Sequence, residues 1–345
     1  MNTKLLYEIS IIRPLVIFLL VVYHCLCIFT GGWHAPAGVG ANELYWWLGK
    51  LISGFRIECI AFVGGYVMAY QMIRCGKDQR LLPFLYKKVK RLIIPCLVFG
   101  LAYWMLFRYN GVWHWRPMLL RLFGGVGHLW FLPMLFWCFA AMWLVARLLQ
   151  PQRRLWLAVV LLVVLAVVSV LPNPKGLHFG LTQVNHFIFY FYGGYFVWLI
   201  KDADRIRLHD PLSRTTLAVL LALLYVMLLV LRLKVGLPHH WNVWVLRALK
   251  WGHICCGIMA LYLAVMEFLR RRGADYQPPQ WVLWCSGICY GVYVFHMFFL
   301  QWLYYYSPMP QYVSSWLLPW MALVLTLAGS VLAAWLLKKC KINII

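Results

Sequence analysis

The stretch Ile11–Phe29, IIRPLVIFLLVVYHCLCIF, decides the fold. It is apolar almost throughout, and a run of about 18 or more such residues crosses a bilayer as a helix. It is too long for the apolar region of a typical signal peptide. It therefore reads as a retained signal anchor. Two polar residues interrupt the run. Arg13 and His24 are eleven positions apart, close to three turns of helix, so both project from one face. The rise between them is about 16 Å at 1.5 Å per residue.

The pattern recurs along the chain. Of its 345 residues, 64% are hydrophobic and only 12% charged, against roughly 25% charged in soluble domains. Apolar runs fall at about 11–29, 51–72, 92–107, 128–146, 155–171, 186–200, 216–231, 248–268, 281–303 and 314–337. The expectation is an all-α, polytopic bundle of about ten spans, a single integral membrane domain over residues 1–345. No hydrophilic stretch is long enough for a second, soluble domain. The formal charge is +23, from 32 Lys and Arg against 9 Asp and Glu. In a soluble protein this would suggest nucleic acid, but there is no basic, aromatic-interleaved soluble module to hold one, and no nucleic-acid partner is expected.

The basic residues gather in alternate connections: Arg74, Lys77, Arg80, Lys87, Lys88, Lys90 and Arg91; then Arg147, Arg153 and Arg154; then Lys201, Arg205, Arg207 and Arg214; then Arg270, Arg271 and Arg272; then Lys338, Lys339 and Lys341. Such residues hold loops in the cytoplasm, which puts both termini there and the chain in a bacterial inner membrane. The 11 Cys are scattered, mostly within apolar runs, with no C-x-x-C pair. They read as small buried apolar residues, and no metal is expected.

Charged and polar residues at membrane depth are costly by several kcal/mol on most scales and mark function by default. Arg13, His24, Arg56, Glu58 and His296 qualify. Glu58 lies at the same depth as His24 if the first two spans are antiparallel. A carboxylate beside an imidazole fixes its tautomer and stabilises its cation, as a general base requires. Structural readings stand beside these: Arg13 as a snorkelling anchor, His24 in an interhelical hydrogen bond, and Arg56 neutralising Glu58.

Several segments carry a family likeness. Arg13 and His24 match a first helix with Arg, ten residues, then His. Glu58-Cys59-Ile60-Ala61-Phe62-Val63-Gly64-Gly65-Tyr66 follows a pattern of an acidic residue before an apolar stretch ending Ser-Gly-Phe, with Gly64 for Ser and Tyr66 for Phe. Lys87 to Pro95 gives a basic stretch, then Pro. His128-Leu129-Trp130-Phe131-Leu132 and the segment Ser286 to His296 complete the set, the last with looser spacing. Together, in this order, they resemble the acyltransferase type 3 family, membrane proteins that acylate cell-surface glycans.

The resemblance implies a cytoplasmic acyl-CoA donor, usually acetyl-CoA, and an acceptor hydroxyl on an envelope glycan or glycolipid. His24 would take the acceptor proton, or form a transient acyl-imidazole, with Glu58 orienting it. Arg13, Lys87, Lys88, Lys90 and Arg91 would suit the phosphates of coenzyme A; anionic lipid headgroups and simple topology are rival readings. Arg56, His128, Trp130, Tyr290, Tyr293 and His296 are the candidates along the acceptor path, although aromatic packing and interface belts would use such rings as well. A transporter or flippase of a glycan or lipid-linked precursor is the alternative, since it too would use intramembrane His, Glu and Arg. No inverted sequence repeat of the transporter kind is visible.

Overall fold

The computed structural model describes residues 6–77, 80–109, 111, 115–174, 176–202, 211–234, 239–273 and 275–340. Arg205, Arg207 and Lys341 lie outside the described residues. Among those described there is no strand, and the chain is a succession of helices. In order these are α1 (Tyr7–Thr30), α2 (Glu43–Ser53), α3 (Arg56–Ala69), α4 (Leu81–Lys88), α5 (Ile94–Phe107), α6 (Trp115–Gly124), α7 (Phe131–Leu148), α8 (Leu155–Val170), α9 (Val184–Asp202), α10 (Pro211–Lys234), α11 (His239–Arg272), α12 (Gln280–Tyr305), α13 (Met309–Tyr312) and α14 (Leu318–Lys339).

All ten expected spans coincide with helices, and eight helical runs are long and apolar enough to cross a membrane. The two that fall short do so for different reasons. Helix α8 is apolar apart from Ser169 but has only 16 residues. Helix α9 is long enough, but Asn185, His186 and the tyrosines 190, 192 and 195 dilute its hydropathy. The architecture is that of a multi-pass membrane protein. The second span is longer than its apolar core, because the helical run extends from Glu43 to Arg74. Asn42 caps its start by accepting from the Tyr45 N–H at 3.1 Å, a favoured N-cap arrangement.

The chain divides into two compact units, Met1–Cys59 with Leu208–Lys341, and Ile60–Arg207. In the first, α1 packs against α2, α11, α12 and α14, while α10 pairs with α11 and α12 with α14. In lipid no hydrophobic force draws helices together, so close packing and interhelical hydrogen bonds must do so. Tyrosines supply several of the bonds. Tyr304 donates to the Cys25 carbonyl at 2.6 Å, and Tyr45 donates to the Trp316 carbonyl at 2.6 Å while accepting from Trp320 Nε1 at 2.9 Å.

In the second unit, α9 packs against α7 and α8, and Tyr192 of α9 donates to the Ala158 carbonyl at 3.0 Å. Gly65 and Gly194 lie where the α3 and α9 backbones touch: a Cβ on either would strike the carbonyl group of Phe191 or Phe62. Two five-residue π-turns, Tyr70–Arg74 and Val89–Ile93, interrupt the regular helices. Such turns are rare and concentrate at functional sites.

Candidate active site

His24 lies in the last third of α1, and His296 lies near the middle of α12. Their rings meet: His24 Nδ1 is 3.2 Å from His296 Nε2, with ring centroids 5.0 Å apart. The backbone of α12 decides the proton positions. His296 Nδ1 is 2.7 Å from the Tyr293 carbonyl oxygen and 3.2 Å from that of Val292. A carbonyl only accepts, so Nδ1 of His296 carries its proton. The lone pair of the neutral His296 ring is then on Nε2, where it accepts from His24 Nδ1. This leaves the His24 lone pair on Nε2. His296 is completely buried, whereas His24 is half-buried, so the outer ring of the pair is the reachable one.

The surrounding groups hold His24 in place. Gly31 adopts the left-handed conformation (φ 75°) that terminates α1, as helix C-caps favour. The chain then folds back, the Trp33 N–H donating to the Cys27 carbonyl at 3.3 Å. Trp33 stacks on His24 at 5.7 Å with the planes 16° apart. Tyr23 meets the His24 ring edge-on at 5.4 Å.

Arg56 is buried with its guanidinium carbon 3.5 Å from the centre of the Tyr23 ring, and it donates to the Ser53 carbonyl at 2.7 Å. Glu58, also buried, is within electrostatic reach of Arg56 and of three residues on α10 and α11: Arg232, Lys250 and His253.

The face-sharing inferred for α1 is visible in what its polar residues meet. His24 touches His296 on α12, and the charge of Arg13 reaches Cys289, two turns earlier on the same helix. Tyr293 is buried with its ring 6.1 Å from that of His296, and Tyr290 is half-buried.

In the second unit, Lys87, Lys88, Lys90 and Arg91 span the end of α4 and the π-turn that follows. Lys87, Lys90 and Arg91 are exposed. Lys88 instead turns inward, its ammonium 3.7 Å from the Phe139 ring centre and 5.3 Å from that of Phe84, a cation–π arrangement. His128 and Trp130 lie in a short 3₁₀ turn, Gly127–Trp130, with His128 buried 6.0 Å from the Tyr103 ring and Trp130 against Phe187 at 5.7 Å. Gly125 permits this turn: its φ is 88°, and a Cβ would collide with the Trp130 backbone.

A family model described as an acyltransferase domain matches residues 6–339, nearly the whole chain. The chain belongs to the acyltransferase type 3 family. No curated protein and no solved structure matches it. The protein is thus a membrane acyltransferase, and an acyltransferase works on an acyl donor and an acceptor.

The sequence identified both histidines of the pair but assigned them to different tasks, because 272 residues separate them. Trp33, Tyr23, Arg232, Lys250 and His253 were not foreseen. Trp33 could have been found only by reading Gly31 as a reversal that brings a ring nine positions on back over His24.

Proposed function

We propose that this acyltransferase moves an acyl group, acetyl above all, from acyl-CoA supplied at the cytoplasmic face to a hydroxyl of an extracytoplasmic envelope polysaccharide or glycolipid. Both compact units serve this one activity as a single acyltransferase domain of a bacterial inner membrane. The observation that carries the reading is the polarised His24–His296 pair. The acceptor hydroxyl gives its proton to His24 Nε2 as its oxygen attacks the thioester carbonyl. The resulting imidazolium is stabilised because His24 Nδ1–H already donates to His296. Collapse of the tetrahedral intermediate breaks the C–S bond, and the departing thiolate recovers a proton from His24. His24 is thus general base and then general acid, with His296 as the group that orients it.

The other residues take supporting parts in this reading. Arg13, Lys87, Lys90 and Arg91 suit the donor phosphates, and Lys88 braces the basic segment against Phe139. Glu58 and Arg56 set the field beside the pair. Tyr290 and Tyr293 in the first unit, and His128 and Trp130 in the second, offer rings on which a sugar can stack.

Removing a general base typically lowers the rate by about 10²–10⁴-fold. His24→Ala is therefore expected to insert normally and to lose acyl transfer on that scale. The measurement is mass spectrometry of envelope glycans from cells carrying each form, with glycan quantity recorded alongside. Esters should disappear while quantity stays constant. Wild-type esterification by a well-expressed His24→Ala protein would reject the role, and a change in surface glycan quantity alone would favour a transporter. Neutralising Lys87, Lys90 and Arg91 together should raise the apparent KM for acetyl-CoA while leaving kcat largely intact. An unchanged KM would remove them from donor binding.

A further inference from the structure

In the first unit one buried carboxylate, Glu58, faces a buried cation, Arg56, and two half-buried ones, Arg232 and Lys250. Arg56 on α3, Arg232 near the end of α10, and Lys250 on α11 all act on the same carboxylate, Glu58. Arg232 and Lys250 are also within electrostatic reach of each other, and Arg247 adds to the field at Lys250. Among the described residues, three cations therefore act on this one carboxylate.

Two buried side-chain nitrogens in this cluster lack protein hydrogen-bond partners. Arg56 Nε is one, and Arg56 itself is only 6% exposed. His253 Nε2 is the other, on a fully buried ring whose Nδ1 is committed to the Leu249 carbonyl at 3.0 Å. Because that carbonyl only accepts, Nδ1 carries the proton and Nε2 of the neutral ring is a lone pair without a protein partner.

Buried charge is stabilised only when paired and hydrogen-bonded. Clustered like charges are tolerated where a ligand supplies the opposite sign. The sequence has few candidates for an internal counter-charge, with 9 acidic residues in all, and Glu58 is the carboxylate acting on each of the three cations.

The cluster also adjoins the histidine pair. Arg56 stacks 3.5 Å above Tyr23, whose ring is 5.4 Å from His24, and the charge of Arg56 is felt at His296. A single tyrosine ring thus touches both Arg56 and His24. A hydroxyl at His24 and an acidic group at the cluster can therefore belong to the same or adjacent residues of one glycan.

Resting on the acyl-transfer reading above, we propose that Arg56, Arg232 and Lys250 form an anion-binding site for the acceptor, so that the preferred acceptor carries a carboxylate or phosphate close to the acylated hydroxyl. A neutral sugar would bring these cations no charge and bind weakly. An acidic sugar would be held by charge-assisted hydrogen bonds, which are stronger than neutral ones and orient what they hold.

The test uses the full-length protein in lipid nanodiscs with acetyl-CoA as donor. The acceptor probes are methyl glucoside, methyl glucuronide and glucose 1-phosphate. We expect kcat/KM for at least one acidic probe to exceed that for methyl glucoside tenfold or more. This preference should fall severalfold in Arg232→Gln and in Lys250→Gln, and it should be retained in Arg232→Lys and Lys250→Arg, which also serve as folding controls. Which acidic probe is favoured separates carboxylate from phosphate.

A second arm measures binding of the same probes, and of coenzyme A, to His24→Ala protein by calorimetry, so the answer does not depend on turnover. Tight binding of an acidic probe without any transfer by wild-type protein would overturn the acyl-transfer reading and leave the anion site standing. Equal binding of neutral and acidic probes would overturn the anion site and leave acyl transfer untouched. Weakened coenzyme A binding in Lys250→Gln, with probe binding unaltered, would assign the site to the donor and overturn the proposal.

Discussion

At His24 the two ring nitrogens are not equivalent, and the difference originates in a backbone carbonyl on another helix. Tyr293 fixes the proton of His296, His296 fixes the tautomer of His24, and the reactive lone pair follows. In the proposed reaction His296 acts through His24 as a positioning residue. Replacing it with Ala removes a hydrogen bond to a ring that becomes charged, worth about 1.5–3 kcal/mol, or about ten- to a hundredfold in rate. The loss should fall on kcat with KM little changed. His296→Gln, whose side-chain oxygen can still accept from His24 Nδ1, should recover part of it. Steady-state kinetics of the two variants distinguish this from a structural role, under which Gln and Ala would fail alike and KM would move with kcat. Sequence alone singled out both histidines through the cost of polar groups at membrane depth. It could not pair them, since spacing along one helix says nothing about which distant helix faces it.

At the scale of elements, the helices of the ten expected spans follow from local composition, whereas α4, α6 and α13 lie in stretches read as connections, and the packing follows from a few small residues. Gly194 on α9 and Gly65 on α3 let two backbones touch, the device by which helices associate in lipid. Gly194→Val should therefore destabilise the protein by about 1–3 kcal/mol, the range of overpacked cores. Thermal unfolding in detergent would measure it, and an unchanged midpoint would show that the backbones can separate at no cost. All ten helices of the expected set were legible as apolar runs, including α8 and α9, which are too short or too polar to qualify by length and hydropathy. The π-turns were not. A π-turn adds one residue to a turn without changing composition, so the segment from Lys87 to Arg91 reads only as part of a basic connection, and the inward turn of Lys88 onto Phe139 has no signature in spacing.

For the whole molecule, the alternation of basic loops proposes that both ends of the chain are cytoplasmic. Cys340 is exposed and immediately follows Lys338 and Lys339, so it reports on that proposal. A membrane-impermeant maleimide should label it in inverted vesicles and leave it unlabelled in intact cells, with Cys340→Ser as the control. Labelling from outside would reverse the assignment. The way His296 is held has an energetic consequence for such a chain. Its inner N–H ends on a main-chain oxygen, which cannot hand a proton onward. In the proposed reaction the proton that His24 takes from the acceptor hydroxyl goes to the departing thiolate, so one proton and one acyl group trade places. A reaction run on this pair would be electrically silent across the bilayer, and neither the voltage nor the pH gradient of an energised cell would drive or oppose it.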